Sequence, residues 1–137
     1  MEIELKHSLT VEEYNAARRS VGWREIPGEQ AKRGLLGTYY LTAAVMDGQT
    51  VGMARLISDG GYVAYIADVI VDQEHQGHGI GRLILNDIMD YIRNTLSRGE
   101  PVMVILVAAE GKEEFYEKFG FIRRPNEQYG AGMTLWL

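Results

Sequence analysis

The chain has 137 residues, 46% of them hydrophobic and 24% charged, which excludes a disordered chain and predicts a single domain, 1–137, around one core. It has no cysteine, so disulfides, thiolate metal sites and a cysteine nucleophile are excluded. Lys and Arg number 14 against 19 Asp and Glu; the net charge of -5 argues against nonspecific nucleic-acid binding and only weakly favours cationic amine substrates.

The longest apolar run, Val102 to Ala109, has eight residues, where a membrane helix needs about 20. The N-terminus, Met1 to His7, lacks a basic stretch followed by an apolar one. The expectation is a cytoplasmic protein with no membrane partner, no nucleic-acid partner and no metal.

Along the chain, Glu2 to Lys6 alternates as a short strand does. Thr10 is placed to cap a helix carrying Glu12 and Glu13 in its first turn and Val11, Tyr14, Ala17 and Arg18 near one face. Gly22-Trp23 breaks it, and a second helix is predicted over 29–35. Strands follow over 38–46 and 50–57, joined by the hairpin signal Asp47-Gly48. Residues 62–71 are nearly all apolar, which predicts a central strand covered on both faces. Strict alternation along it aims Asp68 away from the face of Tyr65 and Ala67.

The pattern then changes. A polar, Gly-rich turn over 73–81 leads into a helix over 82–96, stopped by Gly99 and Pro101. A buried strand is predicted over 102–107 and a short helix over 113–119, with Phe115 and Phe119 as its apolar stripe and Tyr116 pointing elsewhere. Strands over 121–123 and 133–137 are expected to complete a mixed α/β sheet, antiparallel early with a βαβ crossover late.

Chemistry concentrates where a buried strand, Val69-Ile70-Val71, runs through Gln76-Gly77-His78-Gly79-Ile80-Gly81-Arg82 into a helix. Glycines admit left-handed backbone and close approach of a ligand. The unpaired N–H groups at a helix start attract an anion, most readily a phosphate. No Lys-Ser or Lys-Thr follows, so this is not a P-loop, and the Gly-x-Gly-x-Gly spacing, midway along the chain, is not a dinucleotide fingerprint.

Gln76-Gly77-His78-Gly79-Ile80-Gly81, with Asp68 to Val71 before it and Glu114-Phe-Tyr-Glu-Lys-Phe-Gly-Phe121 after it, resembles the GNAT superfamily of N-acetyltransferases. The resemblance covers essentially the whole chain, is most specific over 66–121 and is loose before residue 38. It implies a mostly antiparallel mixed sheet, flanked by helices, with a splayed central parallel strand pair. It also implies an acetyl-CoA site: backbone groups of the segment Val69-Ile70-Val71 toward pantetheine, N–H groups of Gln76, Gly77, His78, Gly79, Ile80 and Gly81 toward pyrophosphate, and Arg82 near the phosphates. By the same resemblance Tyr116 is the acid that protonates the departing thiolate. The implied activity is acetyl transfer from acetyl-CoA to a primary amine of a small molecule or a protein, by direct attack in a ternary complex. The alternative is a non-catalytic acyl-CoA-binding or sensing module of the same fold.

No base announces itself. Asp68, His75, Glu25 and Glu110 are the candidates, and none is assigned. Trp23 and Tyr65 are expected at the acceptor end, beside the loop 128–133, where an aromatic face suits an apolar or cationic group. The apolar end, Leu135-Trp136-Leu137, would allow a homodimer paired through the final strand.

Overall fold

A computed structural model describes residues 2–137, which form two compact units, 2–105 and 106–137. Five strands, β1 (Ile3–Lys6), β2 (Tyr40–Met46), β3 (Gln49–Ser58), β4 (Val63–Val71) and β5 (Met103–Leu106), form one sheet in that spatial order. The first four pair antiparallel. β4 and β5 form the parallel pair, joined at the start of β5, where the Met103 N–H donates to the Tyr62 carbonyl at 2.6 Å. The β2–β3 hairpin turns at Asp47 and Gly48, both left-handed at φ 51° and 76°, the geometry that suits the twist of the flanking strands.

Helices α1 (Val11–Ser20) and α2 (Gly28–Leu36) cover one face, and α3 (Ile80–Tyr91) covers the other, ending in a π-helical turn over Ile92–Leu96. Consecutive residues of β3 separate the faces. Met53 joins Tyr14, Ala31, Leu41, Ala43 and Ile70 in a core cluster under α1 and α2. Gly52 faces α3 so closely that a Cβ there would lie 2.9 Å from Ile84 Cδ1. A capping box starts α1: the Glu13 N–H donates to Thr10 Oγ1 at 3.1 Å, and the Thr10 N–H to Glu13 Oε1 at 2.9 Å.

The second unit carries α4 (Glu113–Glu117) and little other regular structure. Here the expected strands over 121–123 and 133–137 are corrected: neither segment is a strand. Alternating apolar residues specify a strand only where a partner supplies the ladder. Tyr116, with Phe115 and Phe121 edge-on to its ring, is the buried residue of α4, rather than Phe115 or Phe119.

Candidate active site

β4 ends at Val71 in a tightly fastened turn. The Asp72 N–H donates to the Val51 carbonyl at 2.8 Å. The Asp72 carboxylate accepts from the Glu74 N–H and lies 3.2 Å from His75 Nδ1. Gln76 folds back, its Nε2 donating to the Val71 carbonyl at 3.0 Å. Gly77 and Gly79 then take φ 85° and 79°, and a Cβ on either would meet nothing within 4 Å. Gly79 is the N-cap of α3 and offers no side chain to it. The helical ladder begins with the Leu83 N–H donating to the Gly79 carbonyl at 3.1 Å, so the N–H groups of Ile80, Gly81 and Arg82 precede it without helical acceptors. The turn is therefore held rigid from below and open above, a cradle for an anion at the positive end of α3. His78 and Arg82 are exposed beside it, whereas the Ile70 side chain belongs to the core and leaves only its backbone for a ligand.

Ahead of the turn, β4 is not regular. The β3–β4 register shifts between Met53 and Arg55, and Asp68 sits at φ 55°. This bulge corrects the expected orientation of Asp68. The inserted residue turns its carboxylate onto the face of Ala67, whose cross-strand partner is Arg55. Arg55 Nε donates to Asp68 Oδ2 at 2.8 Å, Tyr14 Oη to the same oxygen at 2.7 Å, and Arg18 Nη1 to Oδ1 at 3.1 Å. Arg55 also reaches the Gly34 carbonyl and Thr38 Oγ1, which ties α2 to the same point. Burial, then the Asp68 carboxylate, pushes the Tyr14 phenol up. Tyr14, Arg18 and Arg55 were not among the site residues expected from sequence. Their signal was an arginine within each of two apolar stripes, at 18 and 55, and one acid within a third, at 68.

Two of the other base candidates, Glu25 and His75, are engaged as well. Glu25 Oε1 accepts from Arg19 Nη1 at 2.6 Å on the surface, and His75 faces Asp72. Trp23 is 38% exposed, with the Arg18 guanidinium 5.5 Å from its ring, so it joins the Asp68 cluster from outside. Tyr65 is half-buried on β4. A cavity of about 210 Å³ lies beside the cluster, lined by Tyr14, Ile26, Gln30, Ala31, Gly34 and Arg55.

In the second unit, burial alone pushes the Tyr116 phenol up to about 12. It therefore carries its proton throughout the neutral range, as a general acid must. No group of three or more metal-ligating side chains occurs among the described residues, and no described helix is long and apolar enough to cross a membrane.

The pattern of the acetyltransferase (GNAT) domain matches residues 22–136. The chain belongs to the GNAT family of N-acetyltransferases. A Staphylococcus aureus protein of unknown function, described as a probable acetyltransferase, is 32% identical; its crystal structure superposes with a TM-score of 0.87 over 99% of this chain and 100% of that one. The uncharacterized N-acetyltransferase ycf52 of Porphyra purpurea is 32% identical over 111 residues, 78% of this chain, and the chain spans 62% of the length of that curated relative. A predicted acetyltransferase of Clostridium acetobutylicum, solved with acetyl-CoA, shares the fold at 14% identity, with a TM-score of 0.70 over 90% of this chain and 92% of that one.

Proposed function

We propose that the protein transfers an acetyl group from acetyl-CoA to the primary amine of a small molecule or a protein, by direct attack. The observation that carries this reading is the turn after β4: left-handed glycines at 77 and 79 and helix-start N–H groups without helical acceptors, at the end of a strand of the family's sheet. That donor set suits a pyrophosphate, and the exposed Arg82 adds charge beside it. Relatives named as N-acetyltransferases, and a fold neighbour solved with acetyl-CoA, support the same cofactor and a nitrogen acceptor.

Acetyl-CoA supplies an activated acetyl thioester. The chain positions it, with backbone groups of Val69 and Val71 toward the pantetheine arm and N–H groups of 76–81 toward the phosphates. The amine nitrogen bonds to the thioester carbon as the carbon–sulfur bond breaks. Tyr116 gives its phenolic proton to the departing sulfur and regains one from water, which also takes the amine's proton; the carboxylates at 25 and 68 are engaged with arginines. Those engagements also favour the second reading, a domain that binds acyl-CoA without turnover.

Calorimetric titration of acetyl-CoA, with ATP and NAD as controls, tests the cofactor. Selective micromolar binding is expected, and a folded protein that binds none would overturn the reading. Thiol release across a panel of amines separates turnover from binding alone.

A further inference from the structure

We propose that a groove where α1, α2 and β2 meet binds a small monocarboxylic acid with an apolar tail, its carboxylate on Lys32. The inference is independent of the proposed activity. The groove is a cavity of about 500 Å³, within the range of about 300–1,000 Å³ typical of small-molecule sites. Segments 7–11, 32–36 and 38–41 build it, all within the unit 2–105. α2 separates it from the smaller cavity beside Asp68: Gln30, Ala31 and Gly34 line that one, and Lys32, Leu35 and Leu36 line this one. It is distant from the glycine turn as well. Tyr40, the first residue of β2, aligns through Leu56 with Ile66 in the first half of β4, and the turn follows the other end of β4.

The floor of the groove is continuous with the core. Leu41 belongs to the core cluster, and Leu9, Val11 and Leu35 pack against that cluster. The rim is apolar but lies in water: Leu36 is 78% exposed and Tyr39 is 39% exposed. On α2, Lys32, Leu35 and Leu36 stand at i, i+3 and i+4 and so share one face. An apolar tail laid over the two leucines therefore brings its head group to Lys32, one turn away.

The opposite wall is held in place before any ligand arrives. His7 Nδ1 donates to the Leu41 carbonyl at 2.8 Å, and its ring lies 4.9 Å from that of Tyr40. Tyr40 is stacked in turn on Tyr91 of α3 at 3.8 Å, and its hydroxyl donates to Asp87 Oδ2 at 2.8 Å. A preformed wall spares a ligand the cost of ordering it.

Charge selects the head group. No aspartate or glutamate lines the groove, in a chain whose net charge is -5. The neighbouring cations are taken, Lys6 by Glu13 at 2.7 Å and Arg55 by Asp68 at 2.8 Å. Lys32 has no ion-pair partner among the described residues. An unpaired ammonium at the edge of an apolar strip complements an anion that carries an apolar tail. A second carboxylate on the tail would lie over Leu35 and Leu36 without a partner, so a monocarboxylate is the class that fits.

Titration of the isotope-labelled full chain with sodium octanoate, followed by its amide NMR signals, tests the proposal. Saturable shifts are expected at 7–11 and 32–41, and affinity should rise about two- to fourfold per CH₂ across butanoate, hexanoate and octanoate. Octylamine, with the same tail and the opposite charge, should bind at least about threefold more weakly than octanoate. Lys32→Met keeps the apolar stem and removes the charge; it should weaken octanoate by at least about threefold. Leu36→Glu, at a position mostly in water, should weaken it by about tenfold or more with an unchanged circular dichroism spectrum. No saturable shift in the groove would overturn the proposal. So would shifts confined to 76–82, where the helix-start N–H groups also attract an anion. Equal affinity for octylamine, or for octanoate in the Lys32→Met variant, would overturn the assignment of the head group to Lys32 and the proposal with it.

Discussion

Tyr14 and Tyr116 are both buried phenols whose proton affinity is raised chiefly by burial, yet the two regions around them use polar groups in opposite ways. Around Tyr14 every group is engaged. Its hydroxyl donates to Asp68, which also receives two arginines, and one of those arginines holds α2 as well. Around Tyr116 the neighbours are aromatic rings, and no hydrogen-bond partner contributes to its raised pKa. The glycine turn resembles the second region: its frame is bonded and its N–H groups stay open. Groups saturated by neighbours hold the fold, and groups left open can meet a ligand. Substitutions in the two regions should therefore separate stability from function.

The largest effect is expected at the open phenol. Tyr116→Phe should lower kcat by about 100-fold or more, the range of a lost general acid, while acetyl-CoA affinity holds. Because burial keeps the phenol protonated up to about 12, kcat should not fall near pH 10, where an ordinary tyrosine ionises. Stopped assays from pH 7 to 11 check this, and a limb near 10 or unchanged turnover in the variant would remove Tyr116 from the chemistry.

At the saturated cluster the expected loss is in stability. Asp68→Ala removes the shared partner of two guanidiniums whose side chains are 10% and 14% exposed, which should cost about 3–5 kcal/mol in urea unfolding. Alanine at φ 55° adds strain that Asp68→Gly avoids, so the glycine variant should be about 1 kcal/mol the milder. A loss below about 1 kcal/mol for Asp68→Ala would break the contrast between the regions.

The glycine turn reverses the pattern. Gly79→Ala puts a side chain into open space at φ 79°, so the cost to the fold is backbone strain of about 1–2 kcal/mol. Its larger consequence should be a loss of acetyl-CoA affinity of about tenfold or more by calorimetry. Unchanged affinity would make the turn a structural corner only.

Much of this was legible in the residues because it is local. The Asp47-Gly48 turn, the cap at Thr10 and the glycine turn each follow from backbone preferences within a few positions. The Asp68 bulge was not, because one left-handed residue inverts the alternation from which its direction was read, and nothing local marks it. Only the partners Arg18 and Arg55, 50 and 13 residues away in sequence, make that conformation worth adopting. Met133 to Leu137 failed for the complementary reason: its pattern is that of a strand, but a ladder depends on a partner that pattern cannot supply.

The smallest effect tests whether engaged groups matter in proportion to burial. Glu13 is engaged as fully as Asp68: its carboxylate accepts from Lys6 Nζ at 2.7 Å, from the Thr10 N–H at 2.9 Å and from Thr50 Oγ1 at 3.0 Å. The bond from Lys6, then that from Thr10, pulls its pKa from 4.5 down to about 2. Its side chain is nevertheless 32% exposed and that of Lys6 36%, so water screens the pair. Thr10→Ala, which breaks the capping box, should therefore cost only about 1 kcal/mol. Glu13 binds its proton more weakly folded than unfolded, so its contribution is complete above the unfolded value and is lost as pH falls from 4.5 toward about 2. Thermal melts of the wild type and Glu13→Gln should differ at pH 7 and converge across that interval. A gap that persisted at pH 2 would mean that the glutamine variant is weakened by lost packing, and that charge at this exposed cap contributes little to the fold.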